Sequence, residues 1–113
     1  MTQYITYFNQ QWVGEHSREW FHSRGLLANA VVEDMKLAGV YVFAGGLEED
    51  IGKAFSADPT GETLEVTDGP FSDTRQFLGG LTVVDVADDE AARTWAAKVA
   101  GACGWPQEVR RIW

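Results

Sequence analysis

His16 and His22 are the only histidines of this chain, and Ser17-Arg18-Glu19-Trp20-Phe21 separates them. A helical metal site asks for an i,i+4 pair, so this spacing carries no metal motif. Either ring can act as a general base if the fold brings it to a carboxylate. Asp68 is the natural candidate for that carboxylate. It opens Asp68-Gly69-Pro70-Phe71, a segment in which glycine permits positive φ, proline fixes the next angle and Phe71 can anchor the loop to apolar surface. Turn geometry accounts for all four residues. The functional alternative is that a rigid turn holds Asp68 at a pocket as base or hydrogen-bond acceptor. Asp73, Arg75 and Asp85 can form a small charged cluster near that turn. Arg75 suits a carboxylate- or phosphate-bearing ligand because its fork binds oxyanions in two places; the plainer role is a salt bridge that ties the loop down.

Five tryptophans are many for 113 residues. Packing accounts for most, whereas Trp12 and Trp20, in or near a loop, are candidates to line an aromatic ligand pocket together with Phe71. Cys103 is the one cysteine, has no neighbouring base, and reads as a structural thiol. No cysteine cluster, Gly-x-Gly-x-x-Gly, P-loop or Gly-x-Ser-x-Gly appears, so neither a metal nor a cofactor is expected, and nucleotide binding and hydrolase chemistry have no motif. With 17 acids against 9 bases the net charge is −8, which disfavours nucleic acid and anionic membranes. No apolar run approaches the ~20 residues that span a bilayer, and Met1-Thr2-Gln3-Tyr4 lacks the look of a signal peptide; a cytoplasmic location is the expectation.

The elements that must position these residues can be read in order. Gln3–Phe8 has strand composition. Leu27, Val31, Met35 and Ala38 recur on one helical face, broadened by Leu26, Ala30 and Leu37, and Gly39 ends the helix; Ser17 or Ser23 caps its start. Val40–Ala44 is a buried strand bounded by Gly45-Gly46. Lys53–Ala57 and Glu62–Thr67 form a hairpin about Asp58-Pro59-Thr60-Gly61. Leu81–Val86 is a β-branched strand after Gly79-Gly80. Asp88 caps a second helix, stopped by Gly101, and Glu108–Trp113 is the last strand. One domain over residues 1–113 is expected. Its class is α+β: a ferredoxin-like βαββαβ order with an inserted hairpin, both helices on one face of an antiparallel sheet. The other face keeps apolar residues that nothing in the chain covers, so a homodimer packed sheet to sheet is expected.

The segment Asp68-Gly69-Pro70-Phe71-Ser72-Asp73-Thr74-Arg75-Gln76-Phe77-Leu78-Gly79-Gly80 resembles the DGPF branch of the YCII-related family. Ala38-Gly39-Val40, Val84-Asp85-Val86, the helix through Ala91–Ala97 and the ending Glu108–Trp113 are similar in the same order. The resemblance implies a dimeric α+β barrel. Some relatives are thought to be enzymes that use a His-Asp pair, one group performing dehydrochlorination, and DGPF members are often encoded beside extracytoplasmic-function sigma factors. The chain departs from the pattern with Asp73 for Glu, Arg75 for Lys and Gln76 for Glu. The wider family's histidine would fall near Ala28, where this chain has none. Two readings follow. One is a binder of a small organic molecule in a cleft between sheet and helices, with any proton-transfer or lyase chemistry resting on Asp68, His22 or His16. The other is a non-catalytic regulatory or interaction module in a sigma-factor system. A cofactor-free monooxygenase of the related barrel type ranks after both.

Overall fold

The computed structural model describes residues 1–113. Six strands and two helices follow in the order β1 (Thr2–Asn9), α1 (Arg18–Leu37), β2 (Tyr41–Gly46), β3 (Phe55–Asp58), β4 (Glu65–Asp68), β5 (Leu78–Val86), α2 (Asp89–Cys103) and β6 (Glu108–Arg111). The main sheet runs β2-β5-β1-β6, antiparallel throughout, and β3 pairs with β4 alone. With the β3–β4 hairpin set aside, this is the ferredoxin-like α+β fold.

Each helix starts where a side chain replaces a missing backbone partner. Ser17 accepts from the Trp20 amide at 3.1 Å, and Asp88 accepts from the Ala91 amide at 2.9 Å. Ser17 is therefore the cap of α1, and Gly25 lies inside the helix. α2 runs past Gly101 to Cys103 and closes on Gly104 at φ +91°; a Cβ there would also lie 2.8 Å from the Trp20 ring. Gly101 is simply helical, because a glycine ends a helix only where the backbone turns left-handed.

The core lies between the helices and one sheet face. Tyr4, Val84 and Val86 meet Met35, Ala92 and Val99 there, with Met35 fully enclosed. The Tyr4 hydroxyl donates to Asp89 at the start of α2. Strand alternation sends Ile5, Tyr7, Val83 and Phe43 to the opposite face, and no element of the chain covers it.

The inward stripe of α1 differs from the one expected. Val31 and Met35 face the sheet, but Leu26, Leu27 and Leu37 stay exposed. Arg24, Gly25, Ala28 and Val32 take the inward positions of the first turns instead. Their spacing is helical, but small and polar side chains give it little hydrophobic signal.

The β3–β4 hairpin is an arm. Asp58 accepts from the Thr60 amide (2.9 Å) and hydroxyl (2.6 Å) at its tip; these bonds, the hydroxyl's first, hold the carboxyl below its usual pKa. Lys53 sits in a short turn before the arm, and pairing begins at Phe55. Phe55, Leu64, Val66 and Phe71 are all largely exposed. The radius of gyration is 16.2 Å, against about 13 Å for a globule of this length. The projecting arm accounts for the excess.

Candidate functional site

A cleft of about 360 Å³ opens between α1 and the sheet, and 11 of its 18 lining residues are hydrophobic. Its existence follows from small residues on both walls. Gly45 and Gly46 of β2 and Gly25 and Ala28 of α1 line it, and a Cβ on Gly25 or Gly46 would meet nothing within 4 Å. The paired glycines of β5 serve it indirectly. A Cβ on Gly79 would stand 2.6 Å from the Phe8 ring, and one on Gly80 would stand 2.8 Å from it. With only hydrogens there, Phe8 lies against the sheet and forms part of the wall.

Phe21 and Trp105 line it together, 6.5 Å apart, and Phe8 meets Trp105 edge-on at 5.1 Å. Polar groups are few: Arg24, Asn29, Tyr41, Thr82, Cys103 and Gln107. No carboxylate and no histidine lines the cleft, although the chain has 17 acids. Arg24 is its one permanently charged residue. Its Nη1 donates to the Gly101 carbonyl at 3.2 Å, and its guanidinium lies 5.1 Å from the Trp20 ring centre. Burial pushes the Cys103 thiol up, an effect that Arg24 opposes only in part. A raised thiol is protonated at neutral pH and is not a nucleophile.

The candidate site residues read from the sequence fall into four separate places, and none of them lines the cleft. His16 stacks on Trp20 at 3.6 Å and accepts from or donates to no acid; its Nε2 bonds the Val13 carbonyl at 2.9 Å. Trp20 stands one layer behind the cleft, packed against Phe21 (5.3 Å) and Trp105 (6.1 Å). His22 is exposed on α1. Trp12 lies beside Tyr7 at 6.5 Å. Asp68, Phe71, Asp73 and Arg75 are all exposed on the arm and the loop after it.

Asp68 is the last residue of β4, paired with Phe55, so it ends the strand rather than opening the turn as expected. No hydrogen bond reaches its carboxylate. Gly69 fixes the turn instead: φ is +96°, its amide donates to the Ala54 carbonyl at 2.7 Å, and its own carbonyl accepts from the Ser56 hydroxyl at 2.7 Å. The charged cluster does not assemble. The ion pairs of the chain are Lys36–Glu33 and Lys53–Glu48, and neither Asp73, Arg75 nor Asp85 takes part. No group of three His, Cys, Asp or Glu side chains is placed to hold a metal ion. No hydrogen bond or ion pair links either histidine to Asp68.

Sequence reasoning missed Arg24, Gln107, Tyr41 and Thr82 because they belong to no motif. Ala28, near which the resemblance implies the wider family's histidine, lines the cleft.

The model of the YCII-related domain matches residues 26–102, about two-thirds of the chain. The chain belongs to the YCII-related domain family. Among curated proteins, none matches it. The matched span holds Ala28–Val32 of the cleft wall, the arm and most of α2, whereas Arg24, Trp105 and Gln107 lie outside it. No helix of this YCII-related domain is long and apolar enough to cross a membrane.

Proposed function

We propose that this YCII-related domain, of the DGPF branch, binds a small and largely apolar organic molecule in the cleft between α1 and the sheet. The observation that carries the reading is the cavity itself: about 360 Å³, within the range of small-molecule sites, held open by glycine and alanine on both walls. Ala28→Trp fills it from one side. The variant should keep its circular dichroism spectrum and lose at least about tenfold in affinity for 1-anilinonaphthalene-8-sulfonate, measured by fluorescence. Unchanged affinity in a folded variant refutes the reading.

The domain works in the cytoplasm as a homodimer packed sheet to sheet. The uncovered face with Ile5, Tyr7, Val83 and the half-exposed Phe43 supports this, as does the apolar arm. Proton-transfer or lyase chemistry needs a base at the cleft, and its own walls supply none. Asp68 can take that role only if the arm of a second copy carries it there.

A second reading is a non-catalytic regulatory or interaction module that serves an extracytoplasmic-function sigma factor. The absence of an acid or histidine from the cleft and the exposed apolar arm favour it. Co-purification with any extracytoplasmic-function sigma factor encoded beside it tests it, and no complex at micromolar concentration counts against it.

A further inference from the structure

Building on the cleft as a binding site, we infer that its ligand is an organic anion: an apolar body with a carboxylate or similar oxyanion head, held by Arg24, Trp105 and Gln107. Two independent observations converge. The first is charge. In a chain of net charge −8 every carboxylate is kept off the cleft walls, and the one ionised residue left there is an arginine. A cationic ligand would find no counter-charge, and a neutral apolar one would gain nothing from burying a guanidinium beside it.

The second observation is hydrogen bonding. Four side-chain polar atoms of the chain are buried without a partner, and three of them belong to cleft residues: Arg24 Nε, Trp105 Nε1 and Gln107 Nε2. All three are donors. Arg24 and Trp105 can only donate, whereas the Gln107 amide can turn either end to a ligand. A buried donor without a partner costs stability, so one ligand oxygen pair that satisfies several of them recovers it. Arg24 is already held in place, with Nη1 on the Gly101 carbonyl near the end of α2 and the plane near Trp20. The guanidinium is thus positioned before any ligand arrives. The three atoms lie out of solvent reach, so a head group engages them through a small rotation of the side chains, and Trp105 reports that rotation.

The test compares 1-naphthoate, 1-naphthamide and 1-naphthylmethylammonium, which share a body and differ in head. Each is titrated into the ¹⁵N-labelled protein while the Trp105 indole N–H is followed, its resonance assigned by its loss in Trp105→Phe. Naphthoate should bind at least tenfold more tightly than either of the others and should shift the Trp105 resonance most. Arg24→Gln should erase the difference between acid and amide, and Arg24→Lys should keep part of it, since charge survives without the fork. Equal affinities of acid and amide in the wild type overturn the anion assignment and leave the cleft reading in place. So does a preference that persists in Arg24→Gln. If none of the three probes perturbs Trp105, both readings fall.

Discussion

The cleft and the arm are opposites. The arm and the loop after it carry the chain's recognisable motif and four of its candidate residues, yet those four are exposed and no hydrogen bond reaches the Asp68 carboxylate. The cleft carries no motif, yet it encloses a cavity, gathers three unpartnered donors and excludes every acid of an acidic chain. A short motif records what the backbone needs at a turn. A cavity depends on side chains that are absent, and residues far apart in sequence must all stay small for it to exist.

Stability should divide along the same line. Met35 is fully enclosed behind the cleft, so Met35→Ala should cost about 2–5 kcal/mol in urea unfolding. Phe55→Ala and Asp68→Asn on the arm should each stay within about 0.5 kcal/mol. An arm effect that grows with protein concentration would show a partner copy seated on it.

The glycines sharpen the contrast. Gly69 and Gly104 both have positive φ, at +96° and +91°. A Cβ at Gly69 meets nothing, whereas one at Gly104 meets Trp20 and the Arg24 side chain. Gly69→Ala should therefore cost only the backbone strain, about 1 kcal/mol, and Gly104→Ala roughly 2–3 kcal/mol. Gly104→Ala should also move the Trp20 indole resonance, and equal costs for the two variants would contradict the contact.

The smallest effect concerns Tyr4, beneath the helices. Its hydrogen bond to Asp89, then burial, then the Asp89 charge raise its pKa. The folded value thus exceeds the unfolded one of about 10. The stabilisation is fully present below the unfolded pKa and is lost as pH rises through the folded one. Tyr4→Phe should lower stability slightly at pH 7 and flatten its decline between pH 9 and 11, both read by urea unfolding.

Much of the fold was legible. Ser17 and Asp88 cap helices because their side chains bond nearby amides, and the Asp58–Gly61 reversal is equally local. The order of elements then leaves one short-looped antiparallel arrangement, which the sheet adopts. The helix face was less legible: Leu26 and Leu27 look like core and are exposed, while Arg24 and Ala28 look like surface and line the cleft. Hydrophobicity marks where a helix meets a packed core, and it fails where the helix borders a cavity.

The sequence by itself determined the α+β order, the Asp88 cap, the Asp58–Gly61 turn and the family, because each depends on neighbours within a few residues or on a contiguous motif. Tertiary structure alone decided that Arg24, Trp105 and Gln107 share one cleft and that the Asp68 turn stands apart from it. Those placements come from the crossing of α1 over β2 and β5, and no local pattern encodes the distance between residues 24 and 107.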